Sequence, residues 1–405
     1  MKEWLKEHID LSVVFVVLCL WAIGIASIYS ATFDTGSQVF FNRQMMFAGI
    51  GFLLMISIMV MPFRTLQLLS YPMYGISIII LIMILIAGKV VAGSKSWFGI
   101  GGFGLQPSEI VKVTTILALA SFLSQRNVSL HRLKDILITF GIVLLPVVLI
   151  ILQPDMGTAI IYIVSLLFIL YWAGASNFLL LTLLAPGAAA IASLFGTTAF
   201  VIVVASTLVL LFVLRENRLM SAITFSLTVL TGASTTFIFN KLALHQQKRI
   251  LTFLNPDADP LGAGYNVIQS KIAIGSGGIF GKGFLRGTQT QLNFLPAQWT
   301  DFIYCVPSEE FGFLGAFLIL ILLTALLLRG VKIASLVKSL YASMVVIGVV
   351  STIAAHTIIN VGMSMGMMPV IGVPLPFLSY GGSNLITNMI MAGLLLHMYA
   401  NRKEY

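Results

Sequence analysis

Long apolar segments with few or no charged residues recur along almost the whole chain. A membrane-spanning helix needs about 20 such residues, and no charge occurs between residues 156 and 214, which leaves room for three helices separated near Ala175 and Gly196. The pattern therefore predicts an all-α polytopic integral membrane protein with about twelve transmembrane helices and one large external loop. The predicted spans lie at residues 11–33, 44–63, 65–88, 106–125, 136–154, three within 156–214, 221–240, 311–328 and two within 339–401.

The composition agrees with this pattern. Hydrophobic residues make up 59% of the 405 residues and charged residues 9%, compared with roughly 45–50% and 25% in soluble domains. With a mean hydropathy of +1.02, most apolar side chains must face lipid or other helices, because one core could not hold them all. Two cysteines, Cys19 and Cys305, are too few for a disulfide framework. A soluble fold and a disulfide-rich secreted domain are both excluded.

The net charge is +9, and the positions of the basic residues agree with the predicted topology. Basic residues cluster in short loops at 126–134, 215–218 and 329–338, which share one side of the membrane. Because short cytoplasmic loops carry excess Lys and Arg, both termini are predicted to be cytoplasmic and segment 241–308 external, in the cytoplasmic (inner) membrane of a cell. The first apolar run is too long for a cleavable signal peptide. No nucleic-acid partner is therefore expected from the positive charge.

Segment 241–308 is rich in Gly, Pro, Gln and charged residues and is longer than a connector needs to be. Its glycine run, Gly275-Ser-Gly-Gly-Ile-Phe-Gly-Lys-Gly, lacks the first Gly and the Ser/Thr of a P-loop, which excludes a nucleotide site. Two interpretations stay open. The run is a flexible re-entrant or surface segment, or its backbone approaches an anionic head group with help from Lys271, Lys282 and Arg286.

Four acidic residues stand at the ends of predicted spans. Asp301, Glu309 and Glu310 precede one span, where each is either a helix N-terminal charge, worth about 0.3–1 kcal/mol, or a functional group. Asp155, in Gln153-Pro-Asp-Met-Gly-Thr, is equally open, because Pro-Asp before an apolar run is also an ordinary N-cap.

Glu109 and Lys112 lie within the fourth predicted span. Their i, i+3 spacing puts them on one helix face, where each charge would cost roughly 2.5–3.5 kcal/mol if unpaired at the membrane centre. We predict that they pair, as a structural ion pair or as a functional one. His356 and His397 are single histidines on apolar helices without metal-ligand spacing, so packing or hydrogen bonding is expected for both and no metal cage built by the protein.

Motifs in these segments resemble, in order, those of the SEDS family of cell-wall polymerases, and its RodA branch more than its FtsW branch. The resemblance covers most of the chain. The motifs are Gln106-Pro-Ser-Glu with Lys112, Gln153-Pro-Asp-Met-Gly-Thr, Arg249-Ile, Asn255-Pro-Asp-Ala-Asp-Pro, Ala273-Ile-Gly-Ser-Gly-Gly, Phe294-Leu-Pro, Thr300-Asp-Phe-Ile, Glu309-Glu-Phe-Gly and Pro369-Val-Ile-Gly-Val-Pro-Leu-Pro-Phe-Leu-Ser-Tyr-Gly-Gly.

The resemblance implies a peptidoglycan polymerase that transfers the glycan of lipid II onto another lipid II or a nascent strand with inversion, for cell elongation and shape. It implies a class B penicillin-binding protein as transpeptidase partner, together with the cell-elongation machinery. The family's catalytic aspartate falls on Asp301, its intramembrane charges on Glu109 and Lys112, and its Pro-Asp motif on Asp155.

In this reaction a base deprotonates the acceptor hydroxyl while a lipid pyrophosphate leaves. Asp301 suits the base, because partial desolvation at a membrane surface raises a carboxylate pKa. Lys112, Arg249, Lys282 and Arg286, or a divalent cation such as Mg or Mn, are candidates to stabilise the pyrophosphate. No organic cofactor is expected.

The chain departs from the family in three places. Ala297 and Trp299 stand where Glu and His are common, and Gln153 where an acidic residue is frequent. The family usually has ten spans, so residues 176–222 are expected to be a two-helix insertion, peripheral to function, in a single domain of residues 1–405.

The rival function is a lipid II flippase or another transporter of lipid-linked substrates. Twelve spans, a Gly/Pro-rich break at 366–382 and buried charges all occur in carriers. The two halves show no internal repeat, and a single external loop dominates, which together favour an enzyme.

Overall fold

The computed structural model describes residues 8–33, 38–91, 94–100, 103–214, 217–242, 244–255, 259–260, 262 and 264–403, and most of them are helical. Among these residues the helices are α1 (Leu11–Thr32), α2 (Gln38–Val60), α3 (Phe63–Ala87), α4 (Pro107–Leu123), α5 (Leu133–Ile151), α6 (Met156–Trp172), α7 (Asn177–Phe195), α8 (Thr197–Leu214), α9 (Arg218–Lys241), α10 (Leu244–Leu254), α11 (Tyr265–Ser276), α12 (Thr288–Gln291), α13 (Cys305–Glu310), α14 (Gly312–Leu336), α15 (Leu340–Ser364) and α16 (Gly382–Ala400).

Each predicted span coincides with one helix, α1 to α9 or α14 to α16, and the predicted breaks near Ala175 and Gly196 separate α6, α7 and α8. Eight of the described helices are long and apolar enough to cross a membrane: α1, α2, α3, α5, α7, α8, α14 and α15. Lipid offers no hydrogen bonds to a backbone, so long apolar runs must satisfy their own amides as helices. The mostly helical prediction is confirmed, whereas the count of twelve crossings stays a prediction.

A small antiparallel sheet is the exception to the all-α expectation. Its strands, in the order β1-β2-β3, are β1 (Lys89–Val91), β2 (Ser94–Ile100) and β3 (Phe103–Leu105). The strands have three, seven and three residues, so neither a sustained period of two nor a long apolar run marks them in the sequence. Pairing with neighbours, rather than local propensity, forms this sheet.

The chain divides into two compact units. The first comprises Met1–Ile169 with Asn266–Tyr405, and the second Leu170–Tyr265. In the first unit α2 packs on α16, α3 on α4, and α15 on both α4 and α14. Every residue of α4 except Ile110 is buried, as is 89% of the apolar window of α15. These inner helices carry buried polar side chains, among them Glu109, Lys112 and Asn360, since protein rather than lipid surrounds them.

The second unit holds α7, α8, α9 and α10, with α7 packed on both α8 and α9. The hydroxyls of Thr182 and Thr224 lie 3.0 Å apart across α7 and α9. Gly196 ends α7 with a φ of 121°, a conformation that favours glycine. The unit is wider than the predicted 176–222 insertion, whose peripheral role stays a prediction.

Candidate active site

Asp301 lies in the turns that connect α12 and α13. The backbone N–H groups of Thr300 and Asp301 each donate to the carbonyl of Ala297 at 3.1 Å. The next residue, Phe302, is 1% exposed and belongs to a buried cluster with Leu295 and others, whereas Asp301 itself is partly exposed. The turn is thus anchored by its apolar neighbours, while Asp301 stays partly exposed.

Segment 369–381, between α15 and α16, packs against this turn. The backbone N–H of Tyr380 donates to the carbonyl of Trp299 at 2.8 Å. The hydroxyl of Ser379, which is buried, donates to the carbonyl of Thr300 at 2.6 Å. Two adjacent carbonyls of the Asp301 turn are therefore held by two adjacent residues of the segment.

The next carbonyl, that of Asp301 itself, accepts a hydrogen bond from Asn360 of α15. The Asn360 amide nitrogen is 2.8 Å from this oxygen and 2.6 Å from the carbonyl oxygen of Val373. Gly372 has a φ of 68° and is so close that a Cβ would lie 3.2 Å from Oδ2 of Asp301. Segment 369–381 thus reaches the carboxylate as well as the backbone.

Glu109 and Lys112 form the predicted ion pair, which is confirmed. Oε2 and Nζ are 2.8 Å apart, and each residue is 3% exposed. Lys112 Nζ also lies 2.8 Å from Nε2 of His356, and His356 Nδ1 lies 3.0 Å from the carbonyl oxygen of Pro374. Because a carbonyl only accepts, Nδ1 carries the hydrogen and Nε2 accepts from Lys112. The hydrogen bonding expected for His356 is confirmed, but its partner was not foreseen.

Asp155 caps α6, as its position after a proline allowed. Its carboxylate accepts from the amide of Thr158 at 3.1 Å and from the Thr158 hydroxyl at 2.9 Å. The side chain of Gln106 also donates to it at 2.9 Å. Asp155 therefore joins the start of α4 to the start of α6, a contact that a capping role alone does not require.

Glu309 and Lys282 form a second ion pair, of 2.7 Å, in which Glu309 is fully buried. The ammonium of Lys282 also lies 2.7 Å from the hydroxyls of Ser276 and Thr288. An ammonium has three hydrogens to donate, and three acceptors surround it here. The geometry gives Lys282 a role in holding segment 276–309 together, and its predicted contact with pyrophosphate stays a prediction.

Glu309 also accepts from the amides of Thr288, Gln289 and Thr290 at 2.8 to 3.0 Å. It therefore caps α12 and not the spanning helix α14. Burial favours its neutral form, but the hydrogen bonds from Lys282, Gln289 and Thr290 outweigh burial and lower the pKa of Glu309. The carboxylate stays ionised because the fold surrounds it with donors.

Glu310 is 1% exposed and lies in a poorer donor environment. It accepts from the amide of Leu285 at 3.0 Å, from the hydroxyl of Ser30 and from the side chain of Gln291. Burial outweighs these bonds and raises the pKa of Glu310. The sequence left open that each glutamate is an exposed charge at the N-terminus of α14. The structure shows instead that both are buried.

The glycine run packs on the junction of α13 and α14. The amides of Lys282 and Gly283 donate to the carbonyls of Glu309 and Glu310 at 3.1 and 2.9 Å. Gly281 has a φ of 80°, and a Cβ there would overlap the carbonyl group of Glu310. The glycines thus allow close backbone packing, while an approach to an anionic head group stays a prediction.

The remaining cationic candidates are placed as follows. Arg286 is exposed in the turns before α12, and Lys271 is exposed on α11. Arg249 belongs to α10, and its side chain lies outside the described residues. No three His, Cys, Asp or Glu side chains within the described part of the chain are grouped to hold a metal ion.

We expect Glu309→Gln to destabilise the protein by about 3 kcal/mol, the cost of breaking a buried ion pair. The change removes the charge that pairs with Lys282 and balances the three α12 amides. Thermal unfolding of the purified protein in detergent measures the loss. Glu310→Gln is the matched control, since burial already disfavours the charge of Glu310. Equal losses in the two variants would contradict the proposed difference.

The two glutamates also respond to pH in opposite directions. The pKa of Glu309 is lowered on folding, so its stabilisation is complete above the unfolded value of about 4.3 and is lost as the pH falls through the folded pKa. The pKa of Glu310 is raised, so its contribution is complete below about 4.3 and is lost as the pH rises through the folded pKa.

Helices of this length and apolarity, arranged around a buried ion pair, define a polytopic membrane protein. Residues 10–201 and 195–404 match the Cell cycle protein family that comprises FtsW, RodA and SpoVE. The chain belongs to this family, and it is a multi-pass membrane protein.

Relatives match over nearly the full length. The chain is 36% identical to stage V sporulation protein E of Bacillus subtilis (strain 168), with 97% of both chains covered. It is 36% identical to peptidoglycan glycosyltransferase RodA of Treponema pallidum (strain Nichols), with 97% of this chain and 98% of the relative covered. It is 33% identical to peptidoglycan glycosyltransferase MrdB of Escherichia coli (strain K12), with 99% and 96% covered.

Solved structures are also similar to this chain over nearly its full length. A chain of the structure described as "Structural coordination of polymerization and crosslinking by a peptidoglycan synthase complex" superposes with a TM-score of 0.74 at 29% identity, with 98% of this chain and 99% of that chain covered. Rod shape determining protein RodA of Thermus thermophilus superposes with a TM-score of 0.65 at 26% identity, with 98% of each chain covered.

Proposed function

We propose that this protein is a peptidoglycan glycosyltransferase that polymerises lipid II into glycan strands for cell elongation and shape. The observation that carries the proposal is the full-length match to relatives named peptidoglycan glycosyltransferases. Asp301 is the proposed base, and the hydrogen-bonded turn that holds it and its partial exposure support this role.

The reaction proposed is inverting glycosyl transfer. Asp301 accepts the proton of the acceptor sugar hydroxyl, and the oxygen attacks the anomeric carbon of the donor from the face opposite the leaving group. The bond from that carbon to the pyrophosphate oxygen breaks, and the electron pair leaves with the polyprenyl pyrophosphate. A positioned general base contributes about 10² to 10⁴ to such a rate.

The leaving pyrophosphate gains negative charge, which a nearby cation stabilises. Arg286 and Lys271 are exposed cations of the external segment and support this role best among the described candidates, while Lys282 is engaged by Glu309. A divalent cation such as Mg or Mn, with no organic cofactor, completes the proposal. The described side chains form no cage for it, so it would bind mainly through the substrate's own phosphates.

The proposed partner is a class B penicillin-binding protein that crosslinks the new strand within the cell-elongation machinery. The support is the structural match to a chain of a peptidoglycan synthase complex that couples polymerization with crosslinking. The reaction is proposed to take place on the outer face of the cytoplasmic membrane.

Purified protein incubated with lipid II tests the proposed function. Separation of the products by size is expected to show glycan polymers longer than the input disaccharide unit. Intact lipid II that crosses from one leaflet of a vesicle to the other, without polymer, would instead identify a flippase.

We expect a membrane-impermeant thiol reagent to label Leu292→Cys from outside the cell and Lys332→Cys only from the cytoplasm. Leu292 is 63% exposed in the external segment, and Lys332 is exposed near the far end of α14. The parent protein carries Cys19→Ser and Cys305→Ala, because both native cysteines are free thiols. The reverse pattern would show that the proposed orientation, with both termini cytoplasmic, is wrong.

A further inference from the structure

We propose that Asn360 is a positioning residue that aims the Asp301 carboxylate by bridging two backbone segments. The inference rests on the proposed function, since it concerns the base of that reaction. Asn360 lies on α15, is fully buried, and donates one hydrogen bond to the carbonyl of Asp301 and another to the carbonyl of Val373. One amide thus fixes the separation between the Asp301 turn and segment 369–381.

The two bonds use both hydrogens of one planar NH₂ group, so neither can lengthen without bending the other. The carbonyl that Asn360 holds belongs to Asp301 itself, which leaves few rotatable bonds between the bridge and the carboxylate. On the far side of the bridge, Gly372 precedes Val373 and faces Oδ2 of Asp301. The bridge therefore sets where the carboxylate stands relative to Gly372.

A neighbouring side chain of α15 repeats the pattern one turn earlier. His356, four residues before Asn360, hydrogen-bonds the carbonyl of Pro374, the residue after Val373. Side chains at i and i+4 lie on one helix face. This face of α15 therefore donates hydrogen bonds to two consecutive carbonyls of segment 369–381, those of Val373 and Pro374. The second contact connects the segment to Lys112 and the buried ion pair.

The hydrogen-bonding capacity of the Asn360 side chain is only partly used. Its carbonyl oxygen is buried and has no hydrogen-bond partner within the described residues. A buried acceptor without a partner is destabilising. The amide at this position therefore leaves its own oxygen without a partner, while its nitrogen makes one bond to the Asp301 turn and one to segment 369–381.

Polymerisation of lipid II by full-length Asn360→Ala protein tests the inference. We expect kcat to fall about 10- to 100-fold, the range in which a misplacement of about 1 Å lies, with KM for lipid II within about twofold of wild type. Asn388→Ala is the matched control, because Asn388 is 1% exposed and, among the described residues, its side chain donates only to Asn384, within α16. It is expected to leave kcat within about twofold.

A double-mutant cycle separates positioning from general damage. Asp301→Glu already displaces the carboxylate, so adding Asn360→Ala to it is expected to lower kcat little further. Losses that multiply in the double variant, or an equal fall in Asn388→Ala, would overturn the inference.

Asn360→Asp keeps the shape of the side chain but cannot donate two hydrogen bonds. If Asn360→Ala does not fold, Asn360→Asp replaces it in the test, and its kcat is expected to fall at least about tenfold. A wild-type kcat in Asn360→Asp would also overturn the inference.

The controls distinguish this failure from failure of the proposed function. If wild-type protein forms no glycan polymer, the proposed function fails and the inference falls with it. If wild-type protein polymerises and the cycle shows independent losses, the enzyme assignment stands and only the role of Asn360 is wrong.

Discussion

Replacement of Asp301 by asparagine is expected to lower polymerisation of lipid II by about 10² to 10⁴, the contribution of a positioned general base. The substitution keeps the shape of the side chain and leaves the backbone bonds to Ala297 and Asn360 in place. The protein should therefore insert and fold normally while it loses the group that accepts the proton. The rate of glycan formation by purified protein measures the effect.

Asp135→Asn is the matched control for this change. Asp135 is 8% exposed at the start of α5, and its carboxylate accepts from the amide of Ser129, a bond that asparagine can also accept. It should polymerise at close to the wild-type rate. Near-normal polymerisation by Asp301→Asn, with contaminating polymerases blocked, would falsify the base assignment and direct the search to Asp155 and Glu310.

Charge reversal at Lys112 is expected to have the second large effect. Lys112→Glu puts a carboxylate beside Glu109 in a buried site and removes the donor to His356. Removing one partner of a buried ion pair costs about 3–5 kcal/mol, so little folded protein should accumulate. The folded yield after detergent extraction, measured by size-exclusion chromatography, reports this loss.

The exchange Glu109→Lys with Lys112→Glu separates charge balance from geometry. It restores neutrality, so the folded yield should recover in part. Polymerisation should recover less, because a carboxylate at position 112 and Nε2 of neutral His356 are both acceptors. Full recovery of polymerisation by the exchange would mean that the pair contributes charge balance alone and that the contact with His356 is dispensable.

Local sequence signals predicted most of the helices and part of the site. Each long apolar run became a helix, because an apolar environment forces the backbone to satisfy its own hydrogen bonds. The i, i+3 spacing of Glu109 and Lys112 determined their pairing, since residues three apart share a helix face. Asp155 could be identified as a cap from the apolar run that follows it.

Segment 241–308 and the residues that follow it show where local signals were insufficient. Glu309 and Glu310 stand before an apolar run, which is equally typical of exposed helix charges and of buried groups. Their burial depends on Lys282, Leu285 and Ser30, which lie elsewhere in the chain. The glycine run suggested mobility or a ligand, whereas in the fold it permits close packing against Glu309 and Glu310.

The sequence by itself determined that the long apolar segments become helices and that Glu109 and Lys112 must pair, since both follow from the high cost of unsatisfied polar groups among apolar surroundings. Only the tertiary structure decided what surrounds Asp301. Asn360 is separated from Asp301 by 59 residues, and His356 from Lys112 by 244. An asparagine or a histidine on an apolar helix has the same sequence signature whether it packs, caps or positions a base, because its role depends on the segment that the fold brings against it.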